Sequence, residues 1–229
     1  MNGALTDYIR RVVSRLPEPR YTRLRNRKLF DWMNRVTVGK RVLNLGSGVG
    51  RFDGYLSREI KTINFDRNPK AGKLDIIGDA HFLPFRNDSL DVVYSIAVLE
   101  HVKKPWIVAE EIFRVLRSGG HVVVELPFLN VIHDDQDYFR FTDKGIRSLF
   151  DHSRFKVVFE QVGSGGGSFL SVLLLEYLEQ FIPSKYLKGL WRVIMRYPLS
   201  MLKYLDRLVE RSPNLRRTAN SFSFIGTKR

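Results

Sequence analysis

The chain contains no cysteine among its 229 residues. A disulfide framework, a thiolate zinc centre and a cysteine nucleophile are therefore excluded, and the redox compartment stays open. Long apolar runs are also missing. The first sixteen residues, MNGALTDYIRRVVSRL, hold no stretch of signal-peptide length, and the longest uncharged apolar run in the C-terminal third is residues 169–175. Crossing a bilayer takes roughly 20 apolar residues. A cytoplasmic protein without a transmembrane helix is expected. There is no internal repeat, and the one low-complexity tract, Gly163-Ser164-Gly165-Gly166-Gly167, reads as a flexible loop.

Apolar residues are not scarce. At 44% hydrophobic and 12% aromatic, the chain can bury a sizeable core, which excludes a disordered protein. The net charge of +14 is unevenly spread: residues 1–41 carry +8, residues 42–150 carry −1, and residues 151–229 carry +7. Two basic flanks around a neutral middle suit an anionic partner such as nucleic acid, a phosphorylated substrate or a membrane surface, or they simply keep the surface solvated.

The hydrophobic period changes along the chain. Leu5, Ile9, Val12, Val13 and Leu16 recur at helical spacing, and a second helical piece follows the prolines Pro17 and Pro19. From residue 41 short apolar strands begin: 41–45, 62–65, 74–77, 90–95 and 121–126, then 155–162 and 221–227. Helices are expected at about 51–60, at 105–117 (ended by Ser118-Gly119-Gly120) and at 143–152, with a long helical stretch over about 169–211. Strands alternating with helices predict an α/β fold, a doubly wound and mostly parallel sheet with helices on both faces. The expected layout is a single domain, 1–229. It divides into a basic helical cap at 1–40, an α/β core at 41–162, a basic helical insertion at 163–219 and a last strand at 220–229.

Four strand ends carry the chemistry. The first runs into Gly46-Ser47-Gly48-Val49-Gly50, a turn that lets backbone approach a ligand, with a helix N-terminus expected behind it. It is one residue shorter than the GxGxxG dinucleotide fingerprint, which disfavours a nicotinamide dinucleotide. Asp66 ends the next strand, 20 residues after Gly46, where a carboxylate can accept both hydroxyls of a ribose. Asp79 and Ala80 follow the third strand, and the loop from Ser95 to His101 follows the fourth. Each alone has a plain reading as a capped turn. Together they fit the rule that ligands bind outside the carboxyl ends of such a sheet.

The segments VLNLGSGVGR, INFD, GDAHFLPF, SLDVVYSIAVLEHV and VLRSGGHVVVELP, in this order and spacing, resemble the class I S-adenosylmethionine-dependent methyltransferases of the type 11 kind. That resemblance implies a Rossmann-like seven-stranded sheet with an antiparallel last strand, and S-adenosylmethionine as cofactor. It implies that Gly46, Ser47 and Gly48 face the methionine part, with Gly50 in the same cofactor-binding turn, that Asp66 holds the ribose and that Asp79 with Ala80 binds the adenine. Ser95 and the loop reaching His101 would line the cavity near the transferred methyl. The position two before the first glycine, usually acidic in the family, is Asn44. A neutral hydrogen bond there is worth about 0.5–1.5 kcal/mol against roughly 1.5–3 for a charged one, so weaker cofactor binding is expected.

After the fifth strand comes PFLNVIHDDQDYFRFT, dense in ionisable and aromatic residues. Methyl transfer to oxygen or nitrogen requires loss of a proton, and histidine titrates near neutral pH. His133 is the candidate general base, with Asp134, Asp135 or Asp137 orienting it. His133-Asp134-Asp135 could also ligate a divalent metal, but acidic clusters of this kind are usually solvated and no metal is expected. The pattern is loosely similar to methyltransferases of surface-glycan biosynthesis, which implies a small-molecule or glycan-type acceptor.

Within the insertion, Lys188, Arg192 and Arg196 and then Lys203, Arg207 and Arg211 are spaced by four and form basic stripes. Such helices over 185–211 could lie on an anionic membrane and lid a lipid-linked substrate, or cover the domain with the basic face in water. The basic residues are not interleaved with an aromatic strand platform, which disfavours nucleic acid. The rival readings are an RNA methyltransferase using the basic flanks and a non-catalytic binding protein that retains the fold.

Overall fold

The computed structural model describes residues 27–229 apart from 51 and 71. The helix expected near the N-terminus and the start of the next lie outside these residues. The described chain forms two compact units. One comprises residues 27–128, 132–163 and 221–229; the other comprises 129–131 and 164–220.

The first unit is built on one sheet. Its strands are β1 (Val42–Leu45), β2 (Thr62–Asp66), β3 (Ile76–Ile77), β4 (Leu90–Ile96), β5 (Leu116–Pro127), β6 (Phe155–Ser164) and β7 (Ser221–Lys228). They are ordered β3-β2-β1-β4-β5-β7-β6. The pairs β1–β2, β2–β3, β1–β4 and β4–β5 are parallel, and β7 runs antiparallel to β5. The central strands β1 and β4 are buried along their whole length. That is why they read as unbroken apolar runs rather than as alternating ones.

Helix α1 (Arg27–Val36) is the described part of the expected cap. It buries Leu29, Phe30 and Met33 against Val42, Val92, Tyr94, Ile96, Val123 and Ile225, the residues of one sheet face. Each such side chain contributes about 1.5–3 kcal/mol of transfer free energy. Helix α2 (Pro105–Val115) has Pro105 in its first turn, where no hydrogen bond is lost, and buries Val108, Ala109, Ile112 and Val115. On that opposite face Phe113 meets Phe155, and Phe150, just after α3 (Asp143–Leu149), stacks on Phe224. Phe224 and Ile225 are neighbours on β7 and point to opposite faces, as strand alternation requires. The doubly wound, mostly parallel sheet with an antiparallel last strand is therefore as expected.

Four local expectations are corrected. Residues 52–60 form only a 3-10 turn, Asp53–Tyr55, where a helix to Ile60 was expected. The backbone there is held from outside. Asn34 on α1 donates to the Tyr55 carbonyl at 3.1 Å and accepts from Ser57 N at 2.8 Å, in place of a helical ladder. Ser118-Gly119-Gly120 does not end α2, which stops at Val115; it is a bulge inside β5. Leu90 pairs with Leu116 and Val92 with His121, so two steps on β4 face five on β5. The Asp91 carboxylate anchors the bulge, accepting from Arg41 N at 2.7 Å and facing Arg117 Nε at 2.7 Å.

The other two corrections fall in the second unit. The tract at 163–167 is not a flexible loop, because Gly163 and Ser164 finish β6 and Gly166 and Gly167 begin α4 (Gly166–Glu179). Asp206 explains this: its carboxylate accepts from Gly167 N at 2.7 Å, Ser168 N at 3.3 Å and Ser168 Oγ at 3.1 Å, satisfying the free N–H groups of the first turn. A Cβ on Gly167 would lie 2.2 Å from the Leu202 carbonyl oxygen, so only glycine permits this approach. The expected long helix over 169–211 is divided into α4, α5 (Lys185–Ser200), a 3-10 turn at Met201–Tyr204 and α6 (Leu205–Leu208). The first break contains Pro183, which cannot continue a helical ladder. Trp191 Nε1 donates to the Leu175 carbonyl at 3.0 Å and Arg192 pairs with Glu176 and Glu179, fastening α5 to α4. No helix among the described residues is long and apolar enough to cross a membrane.

Candidate active site

At the carboxyl end of β1 the chain turns through Gly46, Gly48 and Gly50 with φ of 74°, 52° and 73°. Gly46 N and Ser47 N both donate to the Phe65 carbonyl, at 2.8 and 3.1 Å, so the turn is pulled over β2. A Cβ on Gly46 would sit 2.3 Å from Val98 Cγ2, in the loop after β4. At the tip of β2 one oxygen of Asp66 accepts from Gly48 N at 2.8 Å and the other from Asn68 N at 2.9 Å. The turn thus hangs on a carboxylate, and no helix N-terminus stands behind it among the described residues.

The other expected cofactor residues lie at neighbouring tips. Asn44 is buried in β1, with its amide nitrogen donating to Asn64 Oδ1 at 3.0 Å across β2. Asp79 follows β3 and accepts from His81 N at 3.0 Å, with His81 Nδ1 at 2.5 Å; the backbone bond from His81 holds its carboxyl below the usual carboxylate range. Ala80 beside it is buried, while Phe82 is largely exposed. Ser95 is fully buried at the end of β4. The hydroxyls of Ser47 and Ser95 are buried and have no hydrogen-bond partner among the described residues. Ala97 follows with φ of 55°, a conformation costly for a residue bearing a Cβ.

The loop after β5 brings a second group to the same edge of the sheet. His133 Nδ1 lies 3.1 Å from Asp137 Oδ2, and His133 N donates to that same oxygen at 3.1 Å. The Asp137 carboxylate is fully buried and held by both terminal nitrogens of Arg140, which lowers its carboxyl to about 2. Of the three acids expected around His133, Asp137 is the one against its ring. Asp134 Oδ1 accepts from Gln136 N at 3.0 Å and closes the turn, and Asp135 is exposed.

His101 comes from the 3-10 turn Leu99–His101 after β4. Its Nδ1 lies 2.9 Å from the Gln136 carbonyl, and its Nε2 lies 3.1 Å from His133 Nε2. Glu100 is fully buried, and neither of its carboxylate oxygens has a hydrogen-bond partner among the described residues. Burial first, then the nearby Asp137 and Glu125 carboxylates, push its carboxyl up to about 8. Its main chain is well used, the carbonyl accepting from Tyr138 N at 2.8 Å and Phe139 N at 3.3 Å. The two groups of residues are joined: Arg67, next to Asp66, donates to Gln136 Oε1 at 2.6 Å.

Residues 43–124 match the model of a methyltransferase domain. That match runs from β1 into β5, and over this stretch the chain is similar to methyltransferase domains. Among relatives, an uncharacterised methyltransferase of Mycobacterium leprae (strain Br4923) is 33% identical over 100 residues, 38% of this chain and 37% of the relative. The chain thus spans well under half the length of that relative. Among solved structures, the cyclase SpnF superposes with a TM-score of 0.59 at 14% identity, over 90% of this chain and 81% of that one. Haemonchus contortus phosphoethanolamine N-methyltransferase 2, in complex with phosphomonomethylethanolamine and S-adenosylhomocysteine, gives 0.52 at 17% identity, over 89% and 52%. These likenesses establish the fold.

Three residues of the domain's second group escaped sequence reasoning. Glu100 reads in the sequence as one acid in a loop; its signal is its place before His101, just after a buried strand. Gln136 acts partly through its carbonyl, which no side-chain pattern discloses. Arg140 stands three residues after Asp137, a spacing that brings the two together in a turn of chain.

Proposed function

We propose that this protein transfers a methyl group from S-adenosylmethionine to an oxygen or nitrogen of a small-molecule or glycan-type acceptor carried at a membrane surface. The observation behind the reading is the Arg67–Gln136 bond, which ties the Asp66 tip to the loop presenting His133.

The cofactor end fits. Ser47 and Ser95 offer buried hydroxyls in want of partners, and a Cβ on Gly48 would meet nothing within 4 Å, leaving open space beside the turn. Each Asp66 oxygen accepts one backbone bond, and a carboxylate has about four acceptor positions, so capacity remains for ribose hydroxyls. Asp79 and Ala80 would take the adenine. When bound, S-adenosylmethionine supplies an electrophilic methyl on a cationic sulfur.

The protein's own part is to orient the acceptor and remove its proton. Asp137, kept ionised by Arg140, faces His133 Nδ1. That fixes the Nδ1–H tautomer and leaves Nε2 as the basic atom. Asp137 also stabilises the imidazolium formed when Nε2 takes the proton.

The location of the acceptor draws on the second unit. Leu187, Leu190 and Ile194 of α5, with Met201 and Leu208 beyond it, are exposed on a segment that also carries Lys188, Arg196, Lys203, Arg207 and Arg211. Leu187, Leu190 and Ile194 share one helix face. An apolar face with cations beside it favours adsorption to an anionic bilayer.

The test is methyl transfer from methyl-labelled S-adenosylmethionine to membrane and glycan fractions. His133→Ala is expected to reduce the rate by about 10²–10⁴-fold while S-adenosylhomocysteine affinity is retained. An unchanged rate in H133A would remove His133 from the chemistry.

A further inference from the structure

His101 and His133 pose a proton-counting problem. The Gln136 carbonyl beside His101 Nδ1 can only accept a hydrogen bond, so that nitrogen carries the hydrogen. The ionised Asp137 carboxylate makes the same demand on His133 Nδ1. In neutral imidazoles both Nε2 atoms are then bare lone pairs, yet they face one another at 3.1 Å. A proton or a metal ion between the two nitrogens resolves that contact, and the donor set around them is the one a metal ion takes. Glu100 adds a buried carboxyl group whose oxygens have no hydrogen-bond partner among the described residues, its Oε1 3.8 Å from His101 Nε2.

We propose that Glu100, His101 and His133 form a binding site for a divalent transition-metal ion of the zinc type. The donor atoms of the three residues lie within 4.8 Å of one another. Two ligands each about 2.0–2.1 Å from a tetrahedral zinc ion stand roughly 3.3 Å apart, close to the separation of the two Nε2 atoms. Two imidazoles and one carboxylate form a donor set that zinc accepts with a further position open for an outside ligand. The outer contacts match as well. A metal-bound histidine characteristically gives its other N–H to a carboxylate or a backbone carbonyl, and here Asp137 serves His133 while Gln136 serves His101. Both rings are partly exposed, which leaves an approach for an acceptor atom.

The site does not depend on the methyl-transfer reading. If both hold, the ion occupies His133 Nε2 and takes over the task given above to the imidazole. An acceptor hydroxyl bound at the open position would lose its proton more readily, as water does on such ions.

The experiment is to load the full chain with zinc chloride, dialyse it, and measure bound metal by elemental analysis, with calorimetric titration of zinc alone into the metal-free chain. One equivalent per chain is expected in the wild type. H101A with H133A should abolish it, and Asp137→Asn should weaken it by about 10–100-fold. Cobalt(II) in place of zinc should give the visible bands of a low-coordinate site, lost with the histidines. Circular dichroism of each variant checks folding, and E100Q supplies a variant of nearly unchanged shape in which binding should also fall. Less than stoichiometric metal in the wild type, or equal binding in the folded histidine double variant, overturns the site. S-adenosylhomocysteine titration of the same samples separates this from failure of the methyl-transfer reading, since that ligand binds the glycine turn.

Discussion

Gly46 shows how one missing side chain couples two loops. Its φ of 74° and the 2.3 Å approach of Val98 both forbid a Cβ. Gly46→Ala is expected to cost about 1–3 kcal/mol and to weaken cofactor binding, because the turn must move away from Asp66. Adding Val98→Ala should recover only the part due to crowding. A double-mutant cycle by chemical denaturation measures that share, and full additivity would contradict the contact. The placement of the glycine turn, Asp66 and Asp79 at strand ends, and of His133 in the loop after β5, was legible in the sequence, because the strands before them read as apolar runs. The pairing of His101 with His133 was not. It joins residues 32 apart through two loops, and no period links them.

Helices and strands were legible where burial alone decides them. β1, β4 and α2 have one environment along their length, so their apolar pattern is unambiguous. Elements held by a distant polar group were misread: Asn34 replaces the expected helix after residue 51, Asp91 holds the bulge in β5, and Asp206 turns a glycine tract into a helix start. β5 also carries a pH-sensitive element. His121 packs edge-on against Trp32 of α1 at 5.1 Å, with Nδ1 2.9 Å from Thr227 Oγ1. Burial first, then the Lys40 and Arg117 charges, lower its affinity for a proton below the usual value of 6.5. The folded state therefore prefers neutral His121. Its contribution is complete above pH 6.5 and is lost as pH falls, because the unfolded chain takes up the proton first. The thermal stability of the wild type should fall as pH drops below about 6.5, and His121→Gln should flatten that slope; parallel slopes would exclude His121 as the cause.

The sheet unit and the helical unit differ in charge and in exposed apolar surface. The near-neutral middle of the chain builds most of the sheet unit, and much of the basic surplus falls beyond residue 150. If the α5 region docks on lipid, the protein should pellet with vesicles containing anionic lipid and stay in solution with purely zwitterionic ones. Pelleting should decline with salt, and Leu187→Ser with Ile194→Ser should reduce it. Binding to RNA with steep salt dependence and no vesicle binding would instead favour the nucleic-acid reading. Fold class was legible from alternation alone, whereas the acceptor was not, because one fold hosts many chemistries: the cyclase SpnF shares this one at a TM-score of 0.59.

The central claim is that the glycine turn and Asp66 hold S-adenosylmethionine. Calorimetric titration of the wild type and Asp66→Ala with S-adenosylhomocysteine tests it most directly. Micromolar binding at one site, lost or weakened by roughly 10-fold or more in D66A, is the predicted result, since two ribose hydrogen bonds to a charged group are each worth about 1.5–3 kcal/mol. Absence of binding in the wild type, or equal binding in both proteins, would contradict the account.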